Sequence, residues 1–165
     1  MGKTRITILS CEVLDDLRSA SWLISEITDR ENLHARHEMA DICEKDNIEA
    51  VWRTLGVAAS EVRLELMKIL EPQKDMTLIN NLRNPPFWEF SFRVRLTDSK
   101  ETYLRDKIHE YLVARVMADR SAAIIPEASS YWKDRSSEAL AGIRLAAADT
   151  PDSQKARRPL WPFLP

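Results

Sequence analysis

The densest set of candidate metal ligands in the chain is His34, His37, Glu38 and Asp41, which one side of a helix would gather. Imidazole and carboxylate are zinc ligands, but zinc takes three or four converging groups held by a supporting shell. Two histidines three residues apart, with no HExxH frame, do not supply that. Residues 26–49 also carry eight acids against three bases, so a solvated acidic helix or a mobile connection accounts for these side chains. No metal is expected. For nucleophilic chemistry the chain offers His34, His37, His109 and many serines, but none stands in an elbow or dyad motif. The neighbouring carboxylates Asp15 and Asp16 read as surface charge at a helix start. The three glycines, Gly2, Gly56 and Gly142, are too few and too scattered for a phosphate-cradling loop. The reading is therefore a chain with no catalytic residues and no cofactor.

One further cluster has chemistry of a different kind. Lys155, Arg157 and Arg158 precede Leu160, Trp161, Phe163 and Leu164 in a tail interrupted by Pro159, Pro162 and Pro165. Proline forbids a helix there and favours an extended arm. Arginine beside large rigid aromatics is the composition of a protein-docking segment. Arg157, Arg158, Leu160, Trp161, Phe163 and Leu164 are the expected partner-binding residues. The whole chain has 24 bases and 26 acids, a formal charge of -2, without the basic excess of a dedicated nucleic-acid binder.

The elements that would carry these groups follow from periodicity. A short strand is expected at Ile6–Leu9, then a helix over about 11–27 with Ser10 as its cap and Val13, Leu14, Leu17, Ser21, Ile24 and Ile27 inward. Ile48, Trp52, Leu55, Ala59, Val62, Leu66 and Ile69 alternate spacings of four and three, giving a seam helix over about 46–70. Gly56 within it marks a kink or a close approach, and Pro72 ends it. From Trp88 to Thr97 apolar and polar residues alternate without a slip, the period of a half-buried strand. Met76–Ile79 is its expected partner, in a hairpin spanning about 75–97. Asp98 and Ser99 start a helix to about Ile125, and Pro126 opens a last helix to about Ala148. Its small residues Ala139, Gly142 and Ala146 admit a close neighbour. The expected organisation is one domain over residues 1–150 and an arm over 151–165. Its class is α+β, mainly α: a helical bundle with one β-hairpin.

Two cysteines, Cys11 and Cys43, make no disulfide framework, and the apolar stretch near the start is too short for a secretory signal. No run approaches the ~18 apolar residues of a membrane span. A cytoplasmic chain, or one assembled in the cytoplasm, is expected.

In series the chain reads ITIL, CEVLDDLRSA, IEAVWRTLGVAASEVRLELMKIL, WEFSFRVRL, YLRDKIHEYLVARVMADR, EASSYWKDRSSEALAGIRLAA and SQKARRP. This order of parts resembles small virion structural proteins encoded by prophages of Bacteroides-type bacteria. It is similar in plan to phage head–tail connector (neck adaptor) proteins, helical subunits that ring the portal. The resemblance implies a homo-oligomeric ring subunit of the virion, with hairpin and arm contacting neighbouring copies and portal or tail proteins. It implies no catalytic residues, no membrane partner and no sequence-specific nucleic-acid contact, with DNA passing through the assembled ring. The alternative is a small cytoplasmic bacterial enzyme or adaptor with a scattered site.

Overall fold

Strand β1, Arg5–Leu9, alternates exposed and buried residues and points Ile6 and Ile8 into the core. It runs without a loop into helix α1, Ser10–Ile27. The computed structural model describes residues 3–28, 32–72 and 84–150, and the statements below concern those. Ser10 does not cap α1. Leu9 holds the cap position, while the Ser10 amide donates to the Pro86 carbonyl at 3.1 Å and its hydroxyl to the Pro85 carbonyl. This ties the start of α1 to the segment leading into strand β2, Phe87–Ser91.

β1 and β2 pair antiparallel, with Ile6 opposite Phe90 and Ile8 opposite Trp88. The expected partner of β2, Met76–Ile79, lies outside the described residues. On the other edge of β2, Leu70 bridges Phe92, with the Glu71 amide donating to Ser91 and the Arg93 amide to Ile69. The expected strand over 88–97 is shorter than its alternation suggested. Beyond Phe92 the chain bends, and the Leu96 amide donates instead to the Thr4 hydroxyl oxygen at 2.8 Å. A two-stranded sheet is marginal in water. This one is covered on its inner face by helices, and Trp88, Phe90, Phe92, Ile6 and Ile8 all join the common core.

Helix α2, Leu33–Ala40, starts at Asn32, whose side chain accepts from the Ala35 amide at 3.2 Å. The acidic stretch is less solvated than expected, because Ala35, Met39, Ile42 and Cys43 are buried. Helix α3, Ile48–Leu66, buries the expected Leu55, Ala59, Val62 and Leu66, with Ile69 buried just beyond its end. Each of the buried Leu, Val and Ile side chains contributes roughly 1.5–3 kcal/mol. Val51 and Ala58 widen the seam, while Ile48 and Trp52 at its upper end are only partly buried. Gly56 makes no close approach; a methyl group there would meet nothing within 4 Å.

Helix α4, Asp98–Ile124, is capped by Thr97, whose hydroxyl accepts from the Lys100 amide, rather than by Asp98 or Ser99. Helix α5, Pro126–Ala148, follows after Ile125, with Pro126 in its first turn, where a missing amide donor is harmless. The two form the most extensive helix pair of the described fold, antiparallel about a one-residue connection. The Ser129 hydroxyl donates back to the Ala118 carbonyl at 3.0 Å and fixes the turn. At Gly142 the approach is as close as expected, with the Tyr103 hydroxyl and Lys107 lying against its Cα. The architecture is α+β and mainly α, five helices around one antiparallel strand pair among the described residues.

Candidate interaction surface

The six residues expected to bind partners, Arg157, Arg158, Leu160, Trp161, Phe163 and Leu164, lie outside the described residues. The described residues end at Thr150. Thr150 is fully buried and its hydroxyl donates to the Ala146 carbonyl at 2.9 Å, closing the last turn of α5. Lys100 Nζ reaches the Asp149 carbonyl at 3.0 Å and its carboxylate at 3.2 Å. The last described residues, Asp149 and Thr150, are thus held between the end of α5 and the start of α4.

The described surface carries large apolar side chains that the fold leaves in water. On α1, Trp22, Leu23 and Ile27 are 60%, 63% and 76% exposed, and Leu33 at the start of α2 is 60% exposed. Leu23 and Ile27 stand one turn apart with Trp22 beside them, and α2 is fastened nearby by the Arg36 guanidinium, which donates to the Ser25 carbonyl at 2.9 Å. Several exposed apolar groups within two turns of one helix mark contact surfaces more often than single ones do. Ile27 is the one residue of the expected inner face of α1 that faces solvent. Trp22 and Leu23 lie off that face altogether, and this was the available signal: two large apolar residues outside the Val13–Leu17–Ser21–Ile24 stripe. A second set, Val57, Leu64 and Met67, lines the outer side of α3 and its end.

Charged groups on the α3–α4–α5 side are spent on one another. The Tyr111 hydroxyl donates to Glu61, and the Arg115 guanidinium shares the same carboxylate oxygen at 3.4 Å. Burial pushes the Tyr111 phenol above its ordinary range, and Glu61 reinforces the shift. Glu110 accepts from Lys107 at 2.7 Å and from Arg135, and Arg144 meets Glu65 at 2.6 Å. A cleft of about 550 Å³ runs along α4 and α5 past Tyr111, Arg115, Asp119, Lys133 and Ser136. Through Glu61, Tyr111 and Arg115 tie α4 to α3.

Two of the three histidines meet a carboxylate. His34 Nε2 lies 3.1 Å from Glu38 on the exposed side of α2, and His109 Nε2 lies 2.7 Å from Asp16, linking α4 to α1. Among the described residues no three of His, Cys, Asp and Glu converge as a metal site would require. Cys11 is exposed and Cys43 buried, both free, and burial raises the Cys43 thiol pKa. No described helix is long and apolar enough to cross a membrane.

Compared with protein-family models, curated proteins and solved structures, the chain matches none.

Proposed function

We propose that this chain is a structural subunit that works by self-association, and that its setting is a phage or prophage virion, as a head–tail connector docking on portal or tail proteins. The observation that carries the reading is the set of exposed apolar side chains Trp22, Leu23 and Ile27 on α1 and Leu33 at the start of α2, beside an otherwise well-filled core. Leaving these groups in water forgoes roughly 1.5–3 kcal/mol for each full burial, which a neighbouring copy or partner would recover. The virion setting rests on the order of elements and the basic, proline-rich arm. Paired charges between helices support a rigid subunit body, and the clamped root at Thr150 lets an arm leave that body without disturbing it.

The test is a concentration series by light scattering with the full chain, alone and with a portal protein. The expected result is a mass above that of the monomer in at least one condition. Trp22→Glu with Ile27→Glu should lower that mass while leaving the melting curve in place. A monomer in every condition would exclude the reading.

A further inference from the structure

Arg63 on α3 lies with its guanidinium 5.2 Å from the centre of the Phe90 ring, and its Nε is buried without a hydrogen-bond acceptor. A cation over an aromatic face is satisfied on that face only, and its N–H edges still need acceptors. Across a cavity of about 290 Å³ stands Arg93, which donates its own Nε to the Leu70 carbonyl at 2.6 Å. That leaves the terminal nitrogens of Arg93 free of any hydrogen bond to protein among the described residues. Neither guanidinium has a carboxylate within ion-pair distance there. Glu71 also lines the cavity, but its carboxylate is paired with Lys3. Two guanidinium groups, the half-buried Arg63 and the solvent-exposed Arg93, therefore remain without a carboxylate partner around one open cleft. The other walls are the apolar Met67, Leu70 and Pro72, with Ser91 as the one further polar residue. Burial also holds Arg63 below the ordinary arginine range, the direction an acceptor anion would reverse.

We propose that this cavity, between the end of α3 and the outer edge of β2, binds a small aliphatic carboxylate, its head on Arg63 and Arg93 and its chain against Met67, Leu70 and Pro72. Two planar forks match a planar carboxylate better than they match a hydrated spherical anion. The apolar walls favour a ligand with a short hydrocarbon body. The volume, at the lower end of the ~300–1,000 Å³ of small-molecule sites, limits that body to a few carbons. The inference stands apart from the proposed assembly, since it needs one copy of the chain.

The experiment follows the Nε–H resonances of Arg63 and Arg93 by NMR while 4-methylpentanoate is added to the full chain. Parallel titrations use the uncharged 4-methylpentanamide and inorganic phosphate. The acid should shift both resonances saturably, and the amide should not. Arg63→Gln should weaken the acid by about tenfold or more, the loss of one charge-assisted pair. Arg93→Lys, which keeps the charge and loses the fork, should weaken it several-fold; melting curves of both variants establish that they fold. Absence of a saturable shift with the acid overturns the site. So does equal binding of amide and acid, or binding of phosphate in preference to the acid.

Discussion

Gly56 and Gly142 are both helical, neither has a positive φ, and the structure separates them sharply. Replacing a mid-helix glycine by alanine gains about 1 kcal/mol in helix propensity, chiefly by restricting the unfolded chain. At Gly56 the new methyl group would meet nothing within 4 Å, so the gain should appear in full. For a chain of 165 residues it corresponds to a rise in Tm of about 2–4 °C. At Gly142 the same methyl would lie 2.7 Å from the Tyr103 hydroxyl and 3.4 Å from Lys107 Cδ. The hydroxyl is the far end of a ring that is 41% exposed, so it can swing aside at the cost of its packing. Gly142→Ala should therefore change stability by no more than about 0.5 kcal/mol. In a Tyr103→Phe background the obstructing oxygen is gone, and Gly142→Ala should recover most of the propensity gain. Urea unfolding followed by far-UV circular dichroism, with m-values compared, measures all four variants. Loss of stability in Gly56→Ala would refute the reasoning, as would an equal gain from Gly142→Ala in both backgrounds.

Phe90→Ala should cost about 3–5 kcal/mol, because the ring is fully buried between the sheet and α3. Trp52→Ala should cost only about half as much, since Trp52 is partly exposed and its main partner is Trp88, 6.1 Å away centre to centre; equal costs in urea would contradict this packing. Burial raises the Glu110 pKa, but hydrogen bonds from Lys107 and Arg135 outweigh it and hold the carboxylate below 4.5. A depressed carboxylate adds stability above its unfolded pKa and loses it as pH falls through its folded one. Glu110→Gln should therefore be destabilising near neutral pH and converge with wild type in acid; a gap that widens below pH 4.5 would reverse the sign.

Periodicity carried the reading of the chain furthest where one face of an element meets the core. The α3 seam and the alternation from Trp88 to Phe92 were legible because burial repeats at the period of the element. Pairing was less legible. β2 takes β1 as a partner from about 80 residues away, and nothing local in Trp88–Ser91 signals that pairing; the expected partner Met76–Ile79 falls outside the described residues. The inner face of α2 rests on Ala35 and Met39 alone, too few apolar positions in eight residues to rise above the surrounding acids. Ser10 looked like a cap because a serine before an apolar run usually is one; here its hydroxyl is claimed by the Pro85 carbonyl, a tertiary contact that no local pattern signals. The cavity of Arg63 and Arg93 was hidden for the same reason. Arg93 is one of the polar positions in the alternation from Trp88 to Thr97, and its meeting with Arg63 depends on the bridge from Leu70 to Phe92. The expected contact residues of the arm follow from composition and fall outside the described residues.

Sedimentation velocity of the full chain beside a chain ending at Thr150 tests the proposed function most directly. Thr150 keeps its own hydrogen bond to Ala146 in the shorter chain, so the body should retain its helix content and melting temperature. Arg157, Arg158, Trp161 and Phe163 are removed with the arm, and the proposal predicts assembly by the full chain and its loss on truncation. Equal assembly by the two chains, unfolding of the shorter one, or a full chain that stays monomeric at every concentration both alone and with a portal protein would each contradict it.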